Sequence, residues 1–176
     1  MIISPYKVND VIKRSDISTG NIFTYQTGNG TRYASLGRNN GFYYGFKLHS
    51  FTDENGMHKP IKAVITPVTS QTVDKMCVIV GYFTLDLAFD NMPQIRAYDG
   101  KSIPPFGSII STPNFVNKEG KPHLFMNLGP SVHSERGIDL YPLSEDGNIK
   151  MLEFGSLLAI RGNVNFITHE QKEKKA

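Results

Sequence analysis

The sequence predicts an all-β fold. Turn-forming residues recur at short intervals, the runs between them are rich in Ile, Val, Tyr, Phe and Thr, and no window sustains a 3.6-residue apolar period. The turn signals are Gly28-Asn29-Gly30, Arg38-Asn39-Asn40-Gly41, Asp53-Glu54-Asn55-Gly56, Asp90-Asn91-Met92-Pro93, Asp99-Gly100, Lys118-Glu119-Gly120 and Asp146-Gly147-Asn148. Each supplies a residue that presets a turn or tolerates positive φ. Two short stretches, Tyr6 to Arg14 and Thr69 to Lys75, are the best helix candidates.

The first long β region, Ile17 to Thr52, contains no Asp or Glu. It holds eight of the chain's nineteen aromatic residues, together with Arg32, Arg38 and Lys47. From Phe42 to Phe51 the residues alternate. Phe42, Tyr44, Phe46 and Leu48 form one face, which reads as core. Tyr43, Gly45, Lys47, His49 and Phe51 form the other, which reads as a surface of rings and a cation.

Lys75 to Phe89 is the next strand. Cys77, Ile79, Phe83, Leu85, Leu87 and Phe89 fall on its core face, and Gly81 interrupts them where a bulge or bend would sit. A long strand coiled at a glycine suits a small curved antiparallel barrel of OB-like type; a jelly roll or other β-sandwich is the alternative. Further on, Phe106-Gly107-Ser108-Ile109-Ile110 is echoed by Phe154-Gly155-Ser156-Leu157-Leu158. Each echo leads to an Asn-Phe-aliphatic triplet, at Asn114 and Asn165. This is read as two strands of like local geometry rather than as a repeat. The last strand runs from Ser156 to Thr168, half-buried, with a glycine bend at Gly162.

At 176 residues the chain suits a single β domain, 1–168, ending in a charged tail, 169–176. Nineteen Phe and Tyr residues are too many for a disordered chain. No run reaches the roughly 18 apolar residues of a membrane span, and the N-terminal residues lack a secretory apolar core. A cytoplasmic location is expected, the host's cytoplasm if the protein is viral. The single cysteine excludes an intramolecular disulfide and a Cys-cluster zinc site. A formal net charge of +3 permits a polyanionic partner.

Motifs for catalysis are missing. The five histidines show no i, i+2 or i, i+4 metal pairing. His133-Ser134-Glu135, with Ser131 nearby, holds a hydrolase's residue types but no nucleophile-elbow pattern, and it reads as a polar loop. Cys77 reads as a buried, inert thiol, and Asp90 and Asp99 read as turn residues. No glycine-rich loop has a phosphate-binding form. No metal, cofactor or catalytic residue is expected.

What remains is the aromatic and basic strand face. Exposed rings stack on bases and cations neutralise phosphates, whereas a carboxylate there would repel them. The sequence therefore points to a non-catalytic protein binding single-stranded DNA or RNA. Arg32, Tyr33, Arg38, Tyr43, Lys47, His49, Phe51 and Arg161 are the candidate contacts, and Tyr43, Lys47 and Phe51 are expected to be exposed. A viral or phage-type coat or assembly protein is the alternative, and homo-oligomers are compatible with both.

Overall fold

A computed structural model describes residues 8–99, 101, 104–143 and 148–170, the last in its backbone only. It is all-β. The strands are β1 (Val11–Lys13), β2 (Asn21–Tyr25), β3 (Tyr33–Asn39), β4 (Phe42–Thr52), β5 (His58–Pro67), β6 (Met76–Ala97), β7 (Ser108–Ser111), β8 (Phe125–Pro130), β9 (Gly137–Pro142), β10 (Lys150–Glu153) and β11 (Leu157–Glu170). Among the described residues, helix is confined to a 3-10 turn at Arg14–Asp16 and the single turn α1, Ser70–Val73. Thr69 caps the N-terminus of α1 in a reciprocal capping box with Thr72, which starts the turn there between β5 and β6. Of the first helix candidate, Val11–Lys13 is strand, and Tyr6 and Lys7 lie outside the described residues.

The hydrogen-bonded order is β10-β9-β8-β7-β11-β6-β2-β3-β4-β5, with β1 on β6. It begins and ends without returning on itself, so the closed OB-like barrel is not formed. The ladders join in one sheet, where a jelly roll has two. The free ends carry their own protection. β10 is four residues long, and β5 bears Pro60, Lys59 and Lys62, residues that discourage further pairing. Near its start β5 meets β11 through a side chain rather than a ladder: the His58 amide donates to Thr168 Oγ1 at 3.2 Å.

Two compact units make up the chain. One runs to Leu85 and takes the chain back from Phe166; the other is Asp86–Asn165. In the first unit, Asn40 and Gly41 join β3 to β4 with φ of 49° and 81°, the two left-handed residues of a tight hairpin turn. The β4–β5 turn is held by Asp53 Oδ1, which accepts from the amides of Asn55 and Met57 at 2.9 and 3.0 Å.

The expected bulge at Gly81 is present, with a consequence for the core face. Phe23 pairs with Ile79 but Ile22 pairs with Gly81, so the alternation of β6 flips there. Cys77 and Ile79 join Ile17 and Phe23 in one cluster. Phe83 turns to the other side, where Phe46 lies with its ring centroid 5.2 Å away and Phe166 lies 4.2 Å from Phe46. The single core face read from the sequence is thus two faces, both buried. Phe89 is 55% exposed and belongs to neither.

The second unit packs Tyr98, Ile110, Phe125, Ile138, Leu140, Leu152 and Leu158 into one cluster. Each large side chain fully buried there contributes about 1.5–3 kcal/mol. The two echoed segments open antiparallel neighbours, β7 and β11, each with its glycine at positive φ. The echo ends there: Asn165-Phe166-Ile167 is strand, whereas Asn114 and Phe115 lie in a turn and bend outside β7 and Val116 makes an isolated bridge to Pro122.

The Asp90–Pro93 turn is a correction, because β6 passes straight through it for a length of 22 residues. The reason lies in the side of the strand that these residues present. The Phe83 amide bonds to Gly20 O, away from β11, while Tyr98 exchanges bonds with Gly155 and Ser156 at the start of β11. Alternation then turns the backbone of Pro93 to the edge where no described strand pairs, so its missing N–H breaks no ladder. Of the remaining turn signals, Gly100, Asp146 and Gly147 lie outside the described residues, as do tail residues 171–176; His169 and Glu170 end β11.

Candidate functional site

Residues directly opposite one another in antiparallel strands point to the same face. In the first unit this produces a row Ile79–Phe23–Tyr33–Lys47–Lys62, running from β6 through β2, β3 and β4 to β5. Tyr25, opposite Cys77, lies beyond one side of the row. On the other side come Ser35–Gly45–Val64 and then, past a bulge in β3, Arg38–Tyr43–Thr66. Four of the residues singled out in the sequence, Tyr33, Arg38, Tyr43 and Lys47, therefore share one face.

The 3-10 turn covers half of that face. Arg14 is 5% exposed, and its guanidinium lies 4.7 Å from the Phe23 ring centroid and 4.1 Å from that of Tyr43. It bridges the small Ser35–Gly45 row between those rings. Such cation–ring contacts, made out of water, are worth on the order of 2 kcal/mol. Tyr43 is consequently 3% exposed, which corrects its expected place on the surface. Its hydroxyl is buried without a hydrogen-bond partner among the described residues.

The other half stays open. Tyr25 and Tyr33 are half-buried and make an edge-on pair at 5.5 Å, and Phe23 completes the cluster. Arg14 hydrogen-bonds the Tyr25 side chain, and Lys75 Nζ lies 5.2 Å from the Tyr25 ring centroid. Burial pushes the Tyr25 phenol above its ordinary pKa, outweighing the opposite pull of the Arg14 charge and hydrogen bond. Lys47 and Lys62 stand directly opposite each other. Among the described residues the ion pair is Lys13–Asp74, at 3.5 Å and exposed, and it leaves Lys47, Lys62 and Lys75 without a carboxylate. Like charges set abreast on a sheet cost stability, an arrangement that an anion would relieve.

The other candidates are scattered. Arg32 immediately precedes β3 and is half-buried, its carbonyl accepting from the Leu48 amide. His49 and Phe51 lie past a change of register in β4; both are exposed, Phe51 at 83%. Arg38 is exposed at the far end of the face. Arg161 belongs to the second unit, where its Nε donates to Ser111 Oγ at 2.6 Å. Sequence reasoning missed Arg14, Lys62 and Lys75. All three lie outside the acid-free segment, and only strand register and chain path bring them to it.

The hydrolase-like residue types remain a loop. The His133 and Arg136 amides donate to Ser131 and Ser134, and His133 is exposed. Among the described residues no group of three or more His, Cys, Asp or Glu is gathered as a metal would need, and no helix is long and apolar enough to cross a membrane. No protein-family model, curated protein or solved structure matches the chain.

Proposed function

We propose that this chain is a non-catalytic binder of single-stranded nucleic acid, acting through the open half of the aromatic and basic face. The observation that carries the reading is the row Tyr33–Lys47–Lys62, a half-buried ring beside two lysines set abreast with no carboxylate paired to them among the described residues. Phosphates would lie over Lys47 and Lys62, with Lys75 at one flank, and bases would stack on Tyr33 and Tyr25. Each stacked base is worth roughly 1–3 kcal/mol. A curved sheet face is enough for this; a closed OB-like barrel is not required.

Fluorescence anisotropy with labelled oligo-dT, oligo-U and a duplex of equal length, at low and moderate salt, tests the proposal. Tighter binding to single strands than to duplex, weakening with salt, supports it. The absence of binding at low salt overturns it, because a phosphate-contacting surface retains nonspecific affinity there.

One observation favours the assembly reading. Phe89, Met92 and Ile95 are 55%, 82% and 69% exposed along β6. Pro93 denies that edge a continuous ladder, so self-contact would have to use side chains. Light scattering across a concentration series separates the two readings: growth in particle size with concentration, without oligonucleotide affinity, selects assembly.

A further inference from the structure

In the second unit, the pairing of β11 with β7 slips by one residue. Ile160 pairs with Ile110 and Gly162 with Ile109, leaving Arg161 as the extra residue of a β-bulge. Gly162 sits at φ 151°, and a Cβ there would collide with the Ala88 carbonyl oxygen, so the bulge is built around a glycine. Bulges of this kind re-aim a side chain. Here the re-aimed side chain is Arg161, which lines a cleft of about 440 Å³.

The cleft has the composition of a small-ligand site. Phe89, Asn91 and Pro93, alternate residues of β6, form one wall, and Leu124 stands before β8. Arg161 Nε is engaged by Ser111 Oγ, and Ser111 is itself 2% exposed, so the guanidinium is held by a buried group. Its terminal amines are the donors left for a ligand. No carboxylate pairs with it among the described residues. Asp90 also lines the cleft. Its charge disfavours ligands with several negative groups and offers an acceptor to a ligand N–H.

We propose that this cleft binds a small ligand carrying one planar ring and one anionic group, of the chemical type of a nucleoside monophosphate or an aromatic carboxylate. Arg161 anchors the anion and the ring lies against Phe89 and Leu124. The proposal does not rest on the first unit's basic face, and a Lys47→Ala/Lys62→Ala variant leaves it intact.

The test is a two-dimensional NMR titration of the full chain with adenosine monophosphate, benzoate, adenosine and inorganic phosphate. Shifts confined to residues around Phe89–Pro93, Leu124 and Arg161, including the Arg161 Nε–H, are expected with the nucleotide or benzoate, and which of the two is tighter identifies the ligand type. Adenosine, lacking the anion, binds at least about tenfold more weakly, as charge-assisted hydrogen bonds predict. Arg161→Gln weakens binding by a similar factor, and Ser111→Ala, which frees the guanidinium without removing it, by a smaller one. Phe89→Ala changes an exposed residue and loses affinity with the spectrum otherwise intact. Shifts elsewhere, no shifts at 10 mM ligand (a concentration of the order of weak millimolar affinity), equal affinity in Arg161→Gln, or inorganic phosphate binding as well as the nucleotide would overturn the proposal.

Discussion

One sheet face carries a tyrosine and a cation at each of its ends, and the two ends have opposite fates. At one, Arg14 lies over Tyr43 and Phe23, and ring and guanidinium are both buried. At the other, Tyr33 stands beside Lys47 and Lys62 and stays half-open. The side-chain types are nearly the same. The difference comes from a 3-10 turn, Arg14–Asp16, laid across one end by the short strand β1. A ring and a cation together thus form core when the chain supplies the cation from above, and a binding surface when the sheet supplies it from the side.

The largest expected effect breaks the covered end. Tyr43→Ala removes a buried ring and the cation packed on it, and should cost about 3–5 kcal/mol in urea denaturation. Tyr43→Phe, which removes only the unpartnered hydroxyl, should be neutral or stabilising. If Tyr43→Ala instead leaves stability unchanged and lowers nucleic-acid affinity, the division of the face is wrong.

At the open end, Lys47→Ala/Lys62→Ala should weaken oligonucleotide binding strongly while stability stays the same or rises, since two facing like charges are gone. The slope of log affinity against log salt should shrink by roughly 1.4, about 0.7 for each single-strand phosphate that is no longer neutralised. An unchanged slope would show that the lysines touch no phosphate.

Two titrations sharpen the contrast further. Burial pushes the Cys77 thiol up to about 11, from an ordinary value of about 9 in the unfolded chain. The native state therefore holds a proton that the unfolded state has released, and stability should fall as pH rises from about 9 towards 11, with no effect below. Below pH 9 the folded protein should react with a thiol reagent only after denaturant is added. Cys77→Ser should remove the thiol's share of that fall, leaving the part above pH 10 that comes from raised phenols such as Tyr25.

The smallest effect is at the hairpin turn. The Met57 amide first, and the Asn55 amide with it, hold the Asp53 carboxyl below its ordinary pKa. Its contribution is present at neutral pH and lost as pH falls through the depressed value, so Asp53→Ala should lower stability slightly at pH 7 and not at all in strong acid. Denaturant midpoints at the two pH values check this.

Much of the fold was legible because it is local. The Asn40-Gly41 turn, the Thr69 helix start and the bulge at Gly162 follow from φ preferences and side-chain caps that act over a few residues, and the slip beside Gly81 falls where a side chain is missing from the strand face. Legibility ended where a local signal was overridden. Asp90-Asn91-Met92-Pro93 has turn chemistry, yet an unpaired edge accepts it as strand. Of the site, the sharing of one face by Tyr43 and Lys47 followed the alternation of β4, whereas Arg38 joins Tyr33 there only through the bulge in β3, and the burial of Tyr43 was not legible.

By itself, then, the sequence determined the all-β class, the hairpin turns and the aromatic, acid-free character of β2 to β4, because turn preference and period-two alternation belong to the backbone of each segment. The tertiary structure alone decided that Lys62 faces Lys47, that Arg14 roofs Tyr43 and that the Arg161 bulge opens onto a cleft. Each depends on register or on a segment arriving from a distant part of the chain, and those are settled by which packing excludes the most water from apolar surface rather than by any local preference.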